Sequence, residues 1–219
     1  MIQIKNAVEL EKMRRACAIS AAALKAGGAA IEPGISTAEI DKIIYDFIVR
    51  HGARPNFLHL YGFPATACIS VNDTVIHGIP SHSQKIRPGD IVSIDTGCKI
   101  DGFNGDNACT FACGKLDKEA QRLLDVTKES LHRGIAAAQA GARIGDIGHA
   151  VQSYVEENGF SVVRAFVGHG VGKELHEDPE VPNYGHPGRG PRLVPGMCIA
   201  IEPMVNQYKY DVKTLGDGW

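Results

Sequence analysis

The chain has 219 residues, 44% of them hydrophobic and 22% charged, which suits one compact domain with a sizeable core and leaves no room for a second. A formal net charge of -2 and a pI near 6.5 give no global basic field, which excludes nucleic acid as the main partner. Six cysteines lack CxxC spacing and no apolar run approaches the roughly 18 residues of a membrane span. The cysteines read as reduced, mostly buried thiols in a cytoplasmic protein.

Asn6, with Glu9 three residues on, opens a helix predicted to run to Gly27 or Gly28, with Lys12, Arg14 and Arg15 on a solvated face. Ser36-Thr37-Ala38-Glu39 is a capping box that opens a second helix ending at His51-Gly52. A strand is predicted over 66–71. The alternating run 91–100, an Asp101-Gly102 turn and the run 103–112 predict a hairpin. Helices over 117–140 and 144–158 follow, then strands near 161–167 and 198–205, with an exposed Pro- and Gly-rich loop over 182–195.

The second half repeats the first. Pro88-Gly89-Asp90-Ile91-Val92-Ser93-Ile94-Asp95 matches Pro195-Gly196-Met197-Cys198-Ile199-Ala200-Ile201-Glu202 at an offset of 107 residues. The same offset pairs Leu24 with Leu131, Gly27 with Gly134, Gly34 with Gly141, Ile40 with Ile147 and Gly52 with Gly159, and sets Glu39 against Asp146. A register that long implies two copies of one unit, each aiming a carboxylate at a common centre. The fold class is α+β, with two pseudo-symmetric αβ repeats whose helices cover one side of a curved antiparallel sheet.

A two-residue turn at Asp101-Gly102 makes Asp95 face Ala108 and Gly97 face Asp106, so the two acids are diagonal neighbours on one face, roughly 7–8 Å apart at the backbone. Such a pair can grip one cation, or it can be two solvated acids near a turn. Glu202 lies in an apolar run and needs a partner. His169, in Gly168-His169-Gly170-Val171-Gly172, is either a ligand or a structural histidine packed among glycines. Three carboxylates with one imidazole suit Mn, Fe(II), Co or Zn, and bridging carboxylates suit two ions about 3.5–4 Å apart. The glycine run lacks GxGxxG spacing, and His176-Glu177-Asp178-Pro179-Glu180 has Glu where a zincin has its second His.

Several segments, in order and over essentially the whole chain, carry a family resemblance. They are Asn72-Asp73-Thr74-Val75-Ile76-His77-Gly78-Ile79-Pro80, Asp95-Thr96-Gly97, Gly105-Asp106, the Gly168 to Gly172 run, His176-Glu177-Asp178-Pro179 and Ile201-Glu202-Pro203. Together they resemble the bacterial type I methionine aminopeptidases, metallopeptidases of the pita-bread fold. The resemblance implies that Asp95, Asp106, His169 and Glu202 hold two divalent metal ions and that Glu202 is also the general base. It further implies that His77 and His176 contact the scissile amide, and that Tyr61, Phe63, Cys68, Leu175 and Trp219 line a methionine pocket. His51, His59, His82, His132, His149 and His186 match nothing catalytic and read as surface residues.

The implied activity is removal of the initiator methionine from nascent proteins whose second residue is small. The expected enzyme is a cytoplasmic monomer acting on N-terminal methionyl peptides in proximity to the ribosome, with no membrane and no specific nucleic acid. The family supplies a fifth, bridging Glu on a return strand beyond Trp219, where this sequence ends. The expectation is therefore a single domain over 1–219 lacking its C-terminal strand: a fragment, an expression boundary or an inactive form. The alternative function is a non-catalytic pita-bread module that binds a protein or peptide. A proline-specific peptidase of the same fold fits the His77 segment poorly.

Overall fold

A computed structural model describes residues 1–219. The hairpin forms as its sequence predicts: β3 (Ile91–Ile100) and β4 (Phe103–Ala112) pair antiparallel, with Asp95 opposite Ala108 and Gly97 opposite Asp106. Asp101 (φ 53°) and Gly102 (φ 82°) both adopt the left-handed conformation that a tight hairpin turn requires. On its other edge β3 pairs with β2 (Ala67–Val71) and, near its end, with β1 (Arg54–Pro55). β3 is thus the central strand, and its inward residues Val92, Ile94 and Cys98 are fully buried.

Helices α1 (Ala7–Ala29) and α2 (Thr37–Arg50) precede this sheet, and α3 (Lys118–Ala137) and α4 (Ile144–Glu157) open the second copy. The chain gathers into two compact units. One comprises Val8–Asp117, Lys173–Leu175 and Thr214–Trp219; the other comprises Met1–Ala7, Lys118–Gly172 and His176–Lys213. Each contains one copy of the repeat.

The 107-residue offset survives in hydrogen bonds. Gly34 N donates to Ile86 O at 2.8 Å and Gly141 N to Leu193 O at 2.9 Å; the returning bonds, Ile86 N to Ile35 O and Leu193 N to Ala142 O, are 2.9 and 2.8 Å. It survives in packing too. Ile40, Ile44 and Ile48 of α2 and Ile147, Val151 and Val155 of α4 are all fully buried at helical spacing, each worth about 1.5–3 kcal/mol on removal from water. Gly27 lets Ile44 approach so closely that a Cβ would stand 2.7 Å from its Cδ1, and Gly134 does the same for Val151 at 2.9 Å.

One expectation needs correction. Residues 161–167 and 198–205 are not continuous strands: only β5 (Ser161–Val162) and β8 (Val205–Asn206) form a ladder. Upstream, Val171 N donates to Cys198 O at 3.0 Å and Ala200 N to His169 O at 2.7 Å, around an isolated bridge between Gly170 and Ile199. The two stretches of pairing differ in register by two residues, and the break falls at Glu202-Pro203, where proline has no N–H to give. The antiparallel pairing comprises the four-stranded sheet of β1 to β4 and, in the other unit, two two-stranded ladders, β5 with β8 and β6 (Gly168–Gly170) with β7 (Glu177–Val181). Both strands of the last pair went unread in the sequence, because three residues of Gly-His-Gly carry no periodicity.

Capping generates the first prediction. In α2 the Glu39 carboxylate accepts from the Ser36 hydroxyl (2.5 Å), from the Ser36 N–H (2.8 Å) and from Lys85 Nζ (3.2 Å). These contacts, the Ser36 hydroxyl first, hold its pKa at about 2, below the ordinary 4.5. Asp146 plays the same part in α4, accepting from the N–H groups of Gly188 and Arg143, which lower it likewise. Depressed carboxyls stabilise above their unfolded pKa, and that contribution disappears as pH falls through the folded value. Amide exchange in the first turn of α2 is therefore expected to accelerate, beyond its intrinsic pH dependence, between pH 4.5 and about 2, and Ser36→Ala is expected to flatten the response. An unchanged profile in Ser36→Ala would contradict the assignment.

Candidate metal centre and apolar pocket

In the unit built on the first copy, the hairpin sets Asp95 and Asp106 half-buried on one face. Gly97, opposite Asp106, lets Asn56 pack against the strand: a Cβ there would stand 2.4 Å from Asn56 Oδ1 and 2.7 Å from Gly105 O. Cys68 pairs with Asp95 across β2 and β3. Burial pushes the Cys68 thiol far up, and the charges of Asp95 and Asp106 push it further, so it behaves as a neutral apolar group beneath two carboxylates. β2 is fixed at its start by Asp41, whose Oδ1 accepts from Thr66 N at 2.9 Å and Ala67 N at 2.8 Å.

His77 stands at the end of a loop pressed onto β2. Its φ is 59°, and Gly78 next to it donates to Ser70 Oγ at 3.0 Å and accepts from Ile69 N at 2.8 Å. Burial lowers the His77 pKa and so favours its neutral form. Its ring meets Trp219 edge to face at 5.7 Å, and Trp219 meets Phe63 the same way at 5.0 Å.

Phe57, Phe63, Ala65, Cys68 and Leu175 form a buried apolar cluster, with Leu60, Ile79 and Trp219 packed against it. Four of the five residues expected to line a pocket are brought together here. Tyr61 is not among them: in a left-handed conformation (φ 51°) within the loop, it is 80% exposed. Phe57, Leu60, Ala65 and Ile79 were missed in the sequence. A signal existed: β2 starts at Ala67, 15 residues beyond Gly52, whereas β6 starts at Gly168, 9 residues beyond Gly159, so the first copy holds extra apolar chain where the repeat loses register.

In the unit built on the second copy, His169 Nδ1 lies 2.8 Å from Gly170 O. A carbonyl only accepts, so Nδ1 carries a proton, and the neutral ring in that tautomer has its lone pair at Nε2. That nitrogen stands 3.2 Å from Glu202 Oε1. Two acceptors so placed repel unless a proton or a metal cation lies with them, and imidazole with carboxylate is the donor set of a transition-metal site. The arrangement fits a metal ion. Glu202 is steadied through its backbone, whose carbonyl accepts from Nδ2 of the fully buried Asn183 at 2.7 Å. His176, exposed, sets its ring edge to face against His169 at 4.5 Å. His51, His59, His82, His132, His149 and His186 are all exposed.

Comparison with known proteins gives one consistent result. The family model described as Metallopeptidase family M24 matches residues 11–218. Methionine aminopeptidase of Clostridium perfringens is 53% identical over 219 residues, covering 100% of this chain and 88% of that protein. Methionine aminopeptidase 1 of Bacillus subtilis is 49% identical with the same coverage. The crystal structure of methionine aminopeptidase from Thermotoga maritima superposes with a TM-score of 0.98 at 41% identity, covering 100% of this chain and 88% of that one. The pita-bread fold, α+β, is thereby shown.

Close approach at Gly78 gives the second prediction. A Cβ there would stand 2.3 Å from Ile69 O, a backbone atom of the central sheet that cannot yield. Gly78→Ala is expected to cost about 1–3 kcal/mol in denaturant unfolding by forcing the His77 loop off β2. Gly216→Ala, where nothing lies within 4 Å, is expected to change stability by no more than about 0.5 kcal/mol. Equal effects at both sites would show that the loop is not clamped.

Proposed function

We infer from the family to which this chain belongs, the M24 metallopeptidases and within them the bacterial type I methionine aminopeptidases, that it removes the N-terminal methionine of polypeptides whose second residue is small. It is a divalent-metal-dependent exopeptidase. The observation that carries the reading is the committed tautomer of His169, with Nε2 turned to the Glu202 carboxylate. We assign Asp95, Asp106, His169 and Glu202 as ligands of two divalent ions (Mn, Fe(II), Co or Zn), which when bound supply Lewis acidity and an activated water. The two compact units accordingly work as one pita-bread domain.

The chain's own groups do the rest. Glu202 takes a proton from the attacking water as general base and passes it toward the departing amine. His77, kept neutral by burial, donates a hydrogen bond to the scissile amide without adding positive charge beside the ions. His176 supports the developing oxyanion from the other copy. The cluster of Phe63, Cys68, Leu175 and Trp219 takes the thioether side chain, because aromatic edges and a neutral thiol suit polarizable sulfur. Tyr61 borders it from the exposed loop. The substrates are methionyl peptides and nascent chains close to the ribosome, and the enzyme acts as a cytoplasmic monomer. No helix is long and apolar enough to cross a membrane.

Kinetics separate the roles. Chelation is expected to abolish release of methionine from a Met-Ala peptide, and Mn or Co to restore it. His169→Ala is expected to lose metal and activity together. His77→Ala is expected to lower kcat about 100-fold or more while bound metal stays within about twofold. Parallel loss of metal and turnover in His77→Ala would overturn its role. Full activity after chelation would overturn the reading itself.

A further inference from the structure

The ladder that joins the His169 segment to the segment after His176 is short and irregular. β6 has only three residues, and its register with β7 slips between the pairs Gly168/Val181 and Gly170/Glu177. Pro179, within β7, has no N–H to add to the ladder. A side chain from the far end of the sequence supplies what the ladder lacks. Lys5 Nζ reaches Glu177 Oε2 at 2.6 Å, with the two side chains 4% and 8% exposed, and lies 3.3 Å from Gln3 O.

The pair lies across the backbone of Gly172, where a Cβ would stand 2.5 Å from Glu177 Oε1 and 2.6 Å from Lys5 Cε. Lys5 N also donates to Gly196 O at 2.8 Å, and a Cβ at Gly196 would meet Lys5 O at 2.7 Å. One residue therefore touches three segments: the one leading out of His169, the one leading out of His176 and the one leading into Glu202. An ammonium so deeply buried costs desolvation that an apolar pair of similar volume would avoid, so stability alone is a poor reason for it.

We propose that Lys5 is a positioning residue: through its buried ion pair with Glu177 it fixes the start of β7 and thereby the relative placement of the His176 and His169 rings. The proposal deepens, and rests on, the assignment of those histidines to the metallopeptidase site. Its prediction concerns turnover more than affinity, because the rings must be placed for the transition state while the apolar cluster that takes the substrate side chain is built, Leu175 apart, from other segments.

Three proteins test it: wild type, Lys5→Met, and the double variant Lys5→Met with Glu177→Met. Each is measured for melting temperature, for kcat and KM on a Met-Ala peptide, and for the 15N-coupled ring signals of His169 and His176 in the zinc-loaded protein. Lys5→Met is expected to melt lower, because it leaves a buried carboxylate alone, and the double variant to recover the melting temperature. In both, kcat is expected to fall roughly 10–100-fold with KM within about threefold, and the His176 ring signals to broaden or double. Recovery of kcat and of single sharp ring signals in the double variant would overturn the proposal, leaving the pair a stability element only. So would wild-type kcat in Lys5→Met. If Lys5→Met does not fold, the double variant decides. If wild type itself releases no methionine, the peptidase reading fails, and the ring signals still decide whether Lys5 positions the histidines.

Discussion

The structure depends most on one committed hydrogen bond, from His169 Nδ1 to the carbonyl of Gly170. It fixes the tautomer, and the tautomer turns a lone pair toward Glu202 Oε1 at 3.2 Å. Left alone, nitrogen lone pair and carboxylate repel in a half-buried setting where charge is poorly screened. The local glycines follow from the same constraint. At Gly168 a Cβ would stand 2.3 Å from Ala200 O, and at Gly170 it would stand 2.2 Å from Asp178 O, so any larger residue would push away the segments that carry Glu202 and His176.

The two copies share a frame and differ in what they hang on it. The shared part is helical: the capping carboxylates Glu39 and Asp146, the buried triplets on α2 and α4, and the paired bonds at Gly34 and Gly141. The first copy builds a hairpin of two ten-residue strands with two acids and adds an apolar loop around Phe57 and Phe63. The second has short ladders, a register slip and two histidines.

How much of this was legible in the sequence varied with how local the cause was. The Asp101-Gly102 turn fixes its own φ values, so the hairpin register and the pairing of Gly97 with Asp106 could be read residue by residue. The Ser36 to Glu39 box is local too, and the start of α2 followed from it. Residues 198–205 looked like a strand because they are apolar, but a ladder needs a partner in register, and Pro203 beside a three-residue β6 removes one. Nothing in the sequence marks Lys5 and Glu177 as partners. Their burial depends on two segments 172 residues apart in sequence meeting over Gly172, which no window along the chain can show. The pocket was half legible for the same reason: Cys68 and Phe63 stand near recognisable motifs, while Phe57 and Leu60 join through packing alone.

Diffraction from cobalt-loaded crystals at the cobalt absorption edge tests the central claim most directly. The account predicts anomalous peaks whose coordination sphere includes His169 Nε2 together with carboxylate oxygens of Asp95, Asp106 and Glu202. Cobalt bound through His169 Nδ1, cobalt held by the hairpin acids or by His169 and Glu202 but not by both, or no peak at all would contradict it.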